Sequence, residues 1–117
     1  MPFRLVRLST GDDGQSHVTE GEIDLDAVDD RNAASPFEAV GRVRFEETSA
    51  GSALDWHPAP ERQYVVTLSG TLEFETRDGE RFVLRPGDVL LADDTVGGGH
   101  RWRLVDDQPW RRVYITF

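Results

Sequence analysis

This sequence predicts an all-β fold, a sandwich or barrel of short strands, and three observations predict it. First, runs rich in Val, Phe, Tyr and Thr are punctuated along the chain by clusters of Gly, Pro and Asp. Second, Thr71 to Thr76 alternates with period two, Leu72 and Phe74 against Glu73 and Glu75. Arg77-Asp78-Gly79-Glu80 follows as a hairpin signal, because Asp-Gly suits the positive φ angles of a type I′ turn. Third, no stretch sustains a helical period; Ala33-Ala34 is boxed in between Asp29-Asp30 and Pro36.

The elements follow in order. Phe3 to Leu8 mixes apolar residues with Arg4 and Arg7 and suits a partly exposed strand. Gly11-Asp12-Asp13-Gly14 is a turn cluster, His17 to Leu25 a second strand, and Asp26 to Pro36 an irregular acidic connection. Val40 to Glu46 returns to strand character. Trp56 to Pro60 reads as an irregular entry, punctuated by Pro58 and Pro60, that feeds a strand from Arg62 to Ser69 closed by Gly70. Beyond the hairpin, Arg81 to Arg85, Asp88 to Ala92 and His100 to Val105 are strands. Trp110 to Phe117 ends the chain, with Val113, Ile115 and Phe117 alternating against Arg112, Tyr114 and Thr116. There is no repeat and no linker. Residues 1–117 read as one domain, with N-terminal strands and an acidic loop over 1–39 and the barrel core over 40–117.

Composition excludes several classes of function. The 117 residues contain no cysteine, so there is no disulfide framework, thiolate ligand or cysteine nucleophile. All 13 basic residues are arginine, which removes a lysine Schiff base and a phosphate-loop lysine. A net charge of -9 argues against nucleic acid, and no run is long and apolar enough for a membrane helix. A cytoplasmic protein without an N-terminal targeting segment is the expectation. Glu20 to Asp30 concentrates six acids and reads as a solvated face. Gly97-Gly98-Gly99 has no helix after it to complete a phosphate loop, so it reads as a flexible segment, and His17 as a strand-end residue.

The stretch from Gly51 to Gly70, answered by His100, carries the candidate chemistry. His57, Gln63, Val65 and Thr67 share parity, although the prolines leave the phase between His57 and Gln63 open. His57 and His100 suit acid–base or metal-ligand roles near neutral pH. Glu61 would add a carboxylate if the proline kink turns it inward. Asp94, beside Asp93 in the loop before His100, either orients that ring or joins a local polar cluster. Trp102 shares parity with His100 and offers either a stacking wall or ordinary core.

The spacing Gly51-x5-His57-x-Ala59-x3-Gln63-x6-Gly70 resembles the first motif of the cupin superfamily. Ala59 stands where that motif carries a second His, and Gln63 where it carries Glu. The segment Pro86-Gly87-Asp88-Val89-Leu90-Leu91 through Gly99-His100 is similar to the second motif, with a gap two residues longer. The resemblance implies a jelly-roll barrel (a double-stranded β-helix of the RmlC-like type) around a small-molecule pocket. It implies a divalent metal (Fe, Mn, Ni or Zn) on His57, Gln63 and His100, and chemistry of dioxygenase, isomerase or lyase type. A metal-free ligand-binding or sensing cupin is the alternative. The resemblance also implies a homodimer, for which the strand from Phe3 to Leu8 offers an edge.

Overall fold

The computed structural model describes residues 2–117, and every regular element in it is a strand. In chain order these are β1 (Phe3–Thr10), β2 (Ser16–Ile23), β3 (Asp26–Ala27), β4 (Ala33–Ala34), β5 (Val43–Thr48) and β6 (Ala53–His57). Then come β7 (Gln63–Ser69), β8 (Leu72–Thr76), β9 (Arg81–Leu84), β10 (Val89–Asp93), β11 (His100–Leu104) and β12 (Trp110–Thr116). A six-stranded sheet, β2-β1-β10-β7-β12-β5, packs on a four-stranded sheet, β6-β11-β8-β9. This is the expected all-β jelly roll. No helix long and apolar enough to cross a membrane exists among the described residues.

The chain strings the core between the sheets by period two. Val6 and Leu8 from β1, Val65 from β7 and Leu72 and Phe74 from β8 are buried there. Phe74 stacks on Phe82 at 4.9 Å and meets Trp110 edge-on at 6.3 Å. The buried core thus reaches back into the N-terminal strands and is not confined to 40–117. Since β1 lies between β2 and β10, it is no edge, and the free edges of that sheet are β2 and β5.

Four other expectations need correction. The irregular connection from Asp26 to Pro36 contains a small ribbon, β3 paired with β4. Of the entry expected to be irregular from Trp56 to Pro60, Trp56 and His57 instead end strand β6, paired with β11, while Pro58 to Pro60 lies outside any strand. The β8–β9 hairpin is not type I′, because no residue other than glycine has positive φ. Its loop is Arg77-Asp78-Gly79, closed by bonds from Gly79 N to Thr76 O and from Thr76 N to Glu80 O. Gly79, at φ 85°, takes the left-handed turn alone and spares Asp78 the strain.

The glycine triplet is the fourth. Gly98 N donates to Gly14 O at 2.9 Å, and a Cβ on Gly97 would collide with that same carbonyl. A Cβ on Gly99 would strike the backbone carbonyl of His57, and Gly99 sits at φ 73°. The triplet is a close-packed seam, not a flexible loop. Gly99→Ala therefore combines left-handed strain with a clash against immobile backbone. We expect a loss of about 2 kcal/mol or more, read as a lowered urea midpoint, whereas an Ala at Gly21, where nothing lies near a Cβ, should cost far less.

The outer faces differ sharply. On the four-stranded sheet, Arg101 and Arg81 bond Glu75 while Arg103 bonds Glu73, a cross-strand ladder of ions. The six-stranded sheet instead shows Val43, Phe45 and Leu68 to solvent.

Candidate functional site

His57 reaches the interior through a bulge. In the β6–β11 ladder His100 pairs with His57 and Trp102 with Leu54, so one extra residue sits in β6. That residue lets Leu54 and His57 share the inner face although their numbers differ by three. Trp56 then packs under the guanidinium groups of Arg77 and Arg101, at 4.6 and 4.7 Å from its ring. After His57, Pro58 to Arg62 carries the chain from one sheet to the other. Gln63 starts β7 on the inner face, 8% exposed. The two prolines sit where no ladder donor is needed.

The two imidazole rings lie 4.5 Å apart between centroids, tilted by 59°. His57 Nδ1 donates to the Asp55 carbonyl at 2.7 Å, and His100 Nδ1 donates to Asp94 Oδ2 at 2.6 Å. Both acceptors lack a proton to give, so both rings carry hydrogen on Nδ1 and keep the Nε2 lone pair free. Asp94 is fully buried. Its Oδ2 also accepts from Ser16 Oγ at 2.5 Å, while Oδ1 has no partner. Burial pushes the His57 imidazole below its ordinary value, with the nearby His100 adding to the effect.

His57, Gln63 and His100 line a cavity of about 750 Å³, together with Trp102, Trp110, Phe74, Val65 and Tyr114, and Asp94 lies behind it. Trp102 faces inward, edge-on to Trp110 at 4.8 Å, and Arg101 and Arg103 point out to the ion ladder. The mouth lies between the edge strands β5 and β6, where Arg42, Arg44 and Leu54 are exposed. Glu61 stands at this mouth, bonded to Arg42 at 2.6 Å. Asp93 points away, to Arg7 at 2.7 Å.

Sequence reasoning missed the wall supplied by β12. Arg112, Tyr114 and Thr116 face the cavity, while Val113, Ile115 and Phe117 face out. Arg112 is 3% exposed and bonded at nearly every donor: to Glu46, Thr48 Oγ1, the Trp110 carbonyl and the Tyr114 hydroxyl. Its guanidinium lies 3.8 Å over the Trp110 ring. Ser16 was also missed, since nothing local marks a serine 78 residues upstream of Asp94 as its partner.

The donor set bears on the metal that the motif implies. Two neutral imidazoles and the Gln63 amide give a divalent cation no charge compensation, and Ala59, 3% exposed, offers no donor. Among the described residues, the one group of three or more potential ligands within 4.8 Å of one another is Asp13, His17 and Asp78, outside the cavity. There His17 Nε2 already meets Asp13 at 3.0 Å and Nδ1 meets Glu80 at 3.4 Å. The cavity residues do not fit a resident divalent metal.

Comparison with known proteins agrees on the fold. The family model for the cupin domain matches residues 41–116, which spans His57, Gln63 and His100 and leaves out β1 to β4. A DUF861 family protein from Thermotoga maritima superposes with a TM-score of 0.53 at 26% identity, over 63% of this chain and 77% of its own. The cupin domain of Cnp3 from Schizosaccharomyces pombe gives 0.50 at 13% identity, over 98% and 81%, a likeness of fold alone. No curated protein matches the chain.

His57 and His17 should separate by NMR titration. His57 should titrate below the ordinary 6.5, and His17 above it because Asp13 and Glu80 hydrogen-bond its charged form. The signs for stability are opposite. The His57 contribution is present above pH 6.5 and lost as pH falls through its folded value. The His17 contribution is present below 6.5 and lost as pH rises through its folded value. Asp94→Asn should scramble the His100 tautomer seen in the ring nitrogen shifts and leave His17 untouched.

Proposed function

Because this chain belongs to the cupin domain family, we propose that its barrel interior is a small-molecule site in which two imidazoles, without a resident metal, carry the chemistry. The observation that carries this reading is the His57–His100 pair, 4.5 Å apart at the floor of an aromatic cavity, with Asp94 behind one ring. His57, kept neutral by burial, serves as the base through its Nε2 lone pair. The proton that His57 takes is returned from the same Nε2 at the other position of the reacting group, while the free Nε2 of His100, held in place by Asp94, accepts a hydrogen bond from the ligand. Taking a proton at one position and returning it at another is isomerase or lyase chemistry, and it requires no oxidant.

The walls select the substrate. Trp102 and Trp110 favour a planar, partly apolar ligand, and the Gln63 amide supports its polar edge. Arg112 has little donor capacity to spare, so it shapes the wall and is not the anchor for a charged group.

A panel of small heteroaromatic acids and amides, followed by tryptophan fluorescence and thermal shift, tests the site. Binding should be lost in His57→Ala/His100→Ala. Trp102→Ala should weaken it about fivefold, for ~1 kcal/mol of stacking, with Trp102→Phe nearer wild type. Wild-type affinity in Trp102→Ala would remove the stacking role. Elemental analysis of protein purified without added metal should find no stoichiometric ion. A full equivalent that disappears in His100→Ala would overturn the metal-free reading. Tight binding without turnover of any ligand in the panel would favour a sensing or carrier pocket instead.

A further inference from the structure

We propose that the cavity takes a planar carboxylate, its acid group held where β5 meets β12 by the Tyr114 hydroxyl and the Arg44 guanidinium. The inference rests on the small-molecule reading of the barrel interior and names the class of ligand that this interior accepts. Tyr114 and Arg44 are direct cross-strand partners in the β12–β5 ladder, and both line the cavity. Opposed side chains on one face of an antiparallel pair lie about 5 Å apart at Cβ, close enough to reach one ligand group together.

Tyr114 supplies a hydrogen that the protein does not use. Arg112 Nε donates to its hydroxyl oxygen at 3.1 Å. A guanidinium has no acceptor, so the phenolic hydrogen cannot return that bond and must point elsewhere. Among the described residues no acceptor takes it. Arg112 is itself pinned by Glu46, Thr48 and the Trp110 carbonyl, which holds the hydroxyl oxygen in place. A chain of bonds from guanidinium to hydroxyl to ligand is polarised in one sense, and an anion is the acceptor that strengthens it most.

Arg44 supplies the charge. It makes no hydrogen bond among the described residues, and its ionic contact is with Glu46 Oε1, 3.5 Å from Nε. Glu46 is already committed to Arg112 through its other oxygen, at 2.5 Å. Both Nη groups of Arg44 are therefore free to take a carboxylate by the fork that suits one. Around the cavity and its mouth three arginines, Arg42, Arg44 and Arg112, stand against two glutamates, Glu46 and Glu61. That leaves one positive charge in excess on a chain whose net charge is -9, and an anionic ligand would balance it.

The remaining polar groups fix the ligand's direction. With their Nδ1 hydrogens given to Asp55 and Asp94, the imidazoles of His57 and His100 present only lone pairs to the cavity, which repel a carboxylate. Trp102 and Trp110 line the same cavity. A planar acid thus lies with its ring against the indoles, its acid group toward β5 and its reacting carbon toward the imidazoles.

Calorimetric titration of the full chain with 2-naphthoate and 2-naphthamide, matched in size and differing by one charge, tests this. Wild type should bind the acid at least about tenfold more tightly than the amide, because hydrogen bonds to a charged group are the stronger ones. Arg44→Gln and Tyr114→Phe should each lower that ratio about fivefold or more and leave the amide affinity within about twofold. The Arg44 side chain is 76% exposed and Tyr114→Phe keeps the ring, so both variants should melt near wild type. Arg103→Gln, on the ion-ladder face, should leave the ratio unchanged. A wild-type ratio near one, or a ratio that survives either substitution, would overturn the inference and leave the pocket standing. Absence of binding by both probes, or binding of both that is undiminished in His57→Ala/His100→Ala, would overturn the pocket reading and the inference together.

Discussion

One buried carboxylate ties the molecule together. The Asp94 side chain accepts from Ser16 at the start of β2 and from His100 at the start of β11. Its backbone carbonyl accepts from Ala59 N at 2.9 Å, in the crossing between the sheets. A polar side chain with no exposure is costly unless hydrogen-bonded, and each such bond contributes about 1 kcal/mol. The three partners come from three separate parts of the chain. Asp94 thus fixes the N-terminal hairpin, the proline crossing and the His100 ring in one arrangement, and that ring orientation is what frees Nε2 for the cavity.

Seen from this centre, much of the site was legible and the reasons are specific. His57, Gln63 and His100 face one cavity because parity along strands is strict once the two sheets exist. The phase across Pro58 and Pro60 resisted reading because those residues belong to neither sheet; they bridge the two. The bulge in β6 has no sequence marker at all, since Asp55 and Trp56 occur equally well in regular strands. Without it, Leu54 and His57 would lie on opposite faces. In β12 the apolar residues face out and Arg112, Tyr114 and Thr116 face in. Hydrophobicity assigns that strand the reverse way, because it cannot foresee a polar cavity wall or an outer face that stays apolar. The glycine triplet is legible only with Gly14 and His57 in view, neither of which is near it in sequence.

The arginine-only basic set has a consequence for both regions. A guanidinium spreads its charge over a plane and can be packed under an indole, as Arg112 is over Trp110 and Arg101 over Trp56. On the exposed ladder these pairs contribute little to stability. They set register between β8, β9 and β11 by opposing unlike charges, and they keep that outer face wet. Inside, Arg112 converts a polar strand into a closed wall with almost no donor left over. The same residue type therefore does opposite jobs on the two sides of the barrel.

Strand β5 connects the cavity with the outer face of its sheet. Its even members face in, where Glu46 holds Arg112 at 2.5 Å and Arg44 stands at the mouth. Its odd members face out, where Phe45 and Val43 are exposed. As an edge strand it is held on one side only, by the ladder to β12. Period two along six residues is enough to set a cavity wall and an exposed apolar face on the two sides of one edge strand.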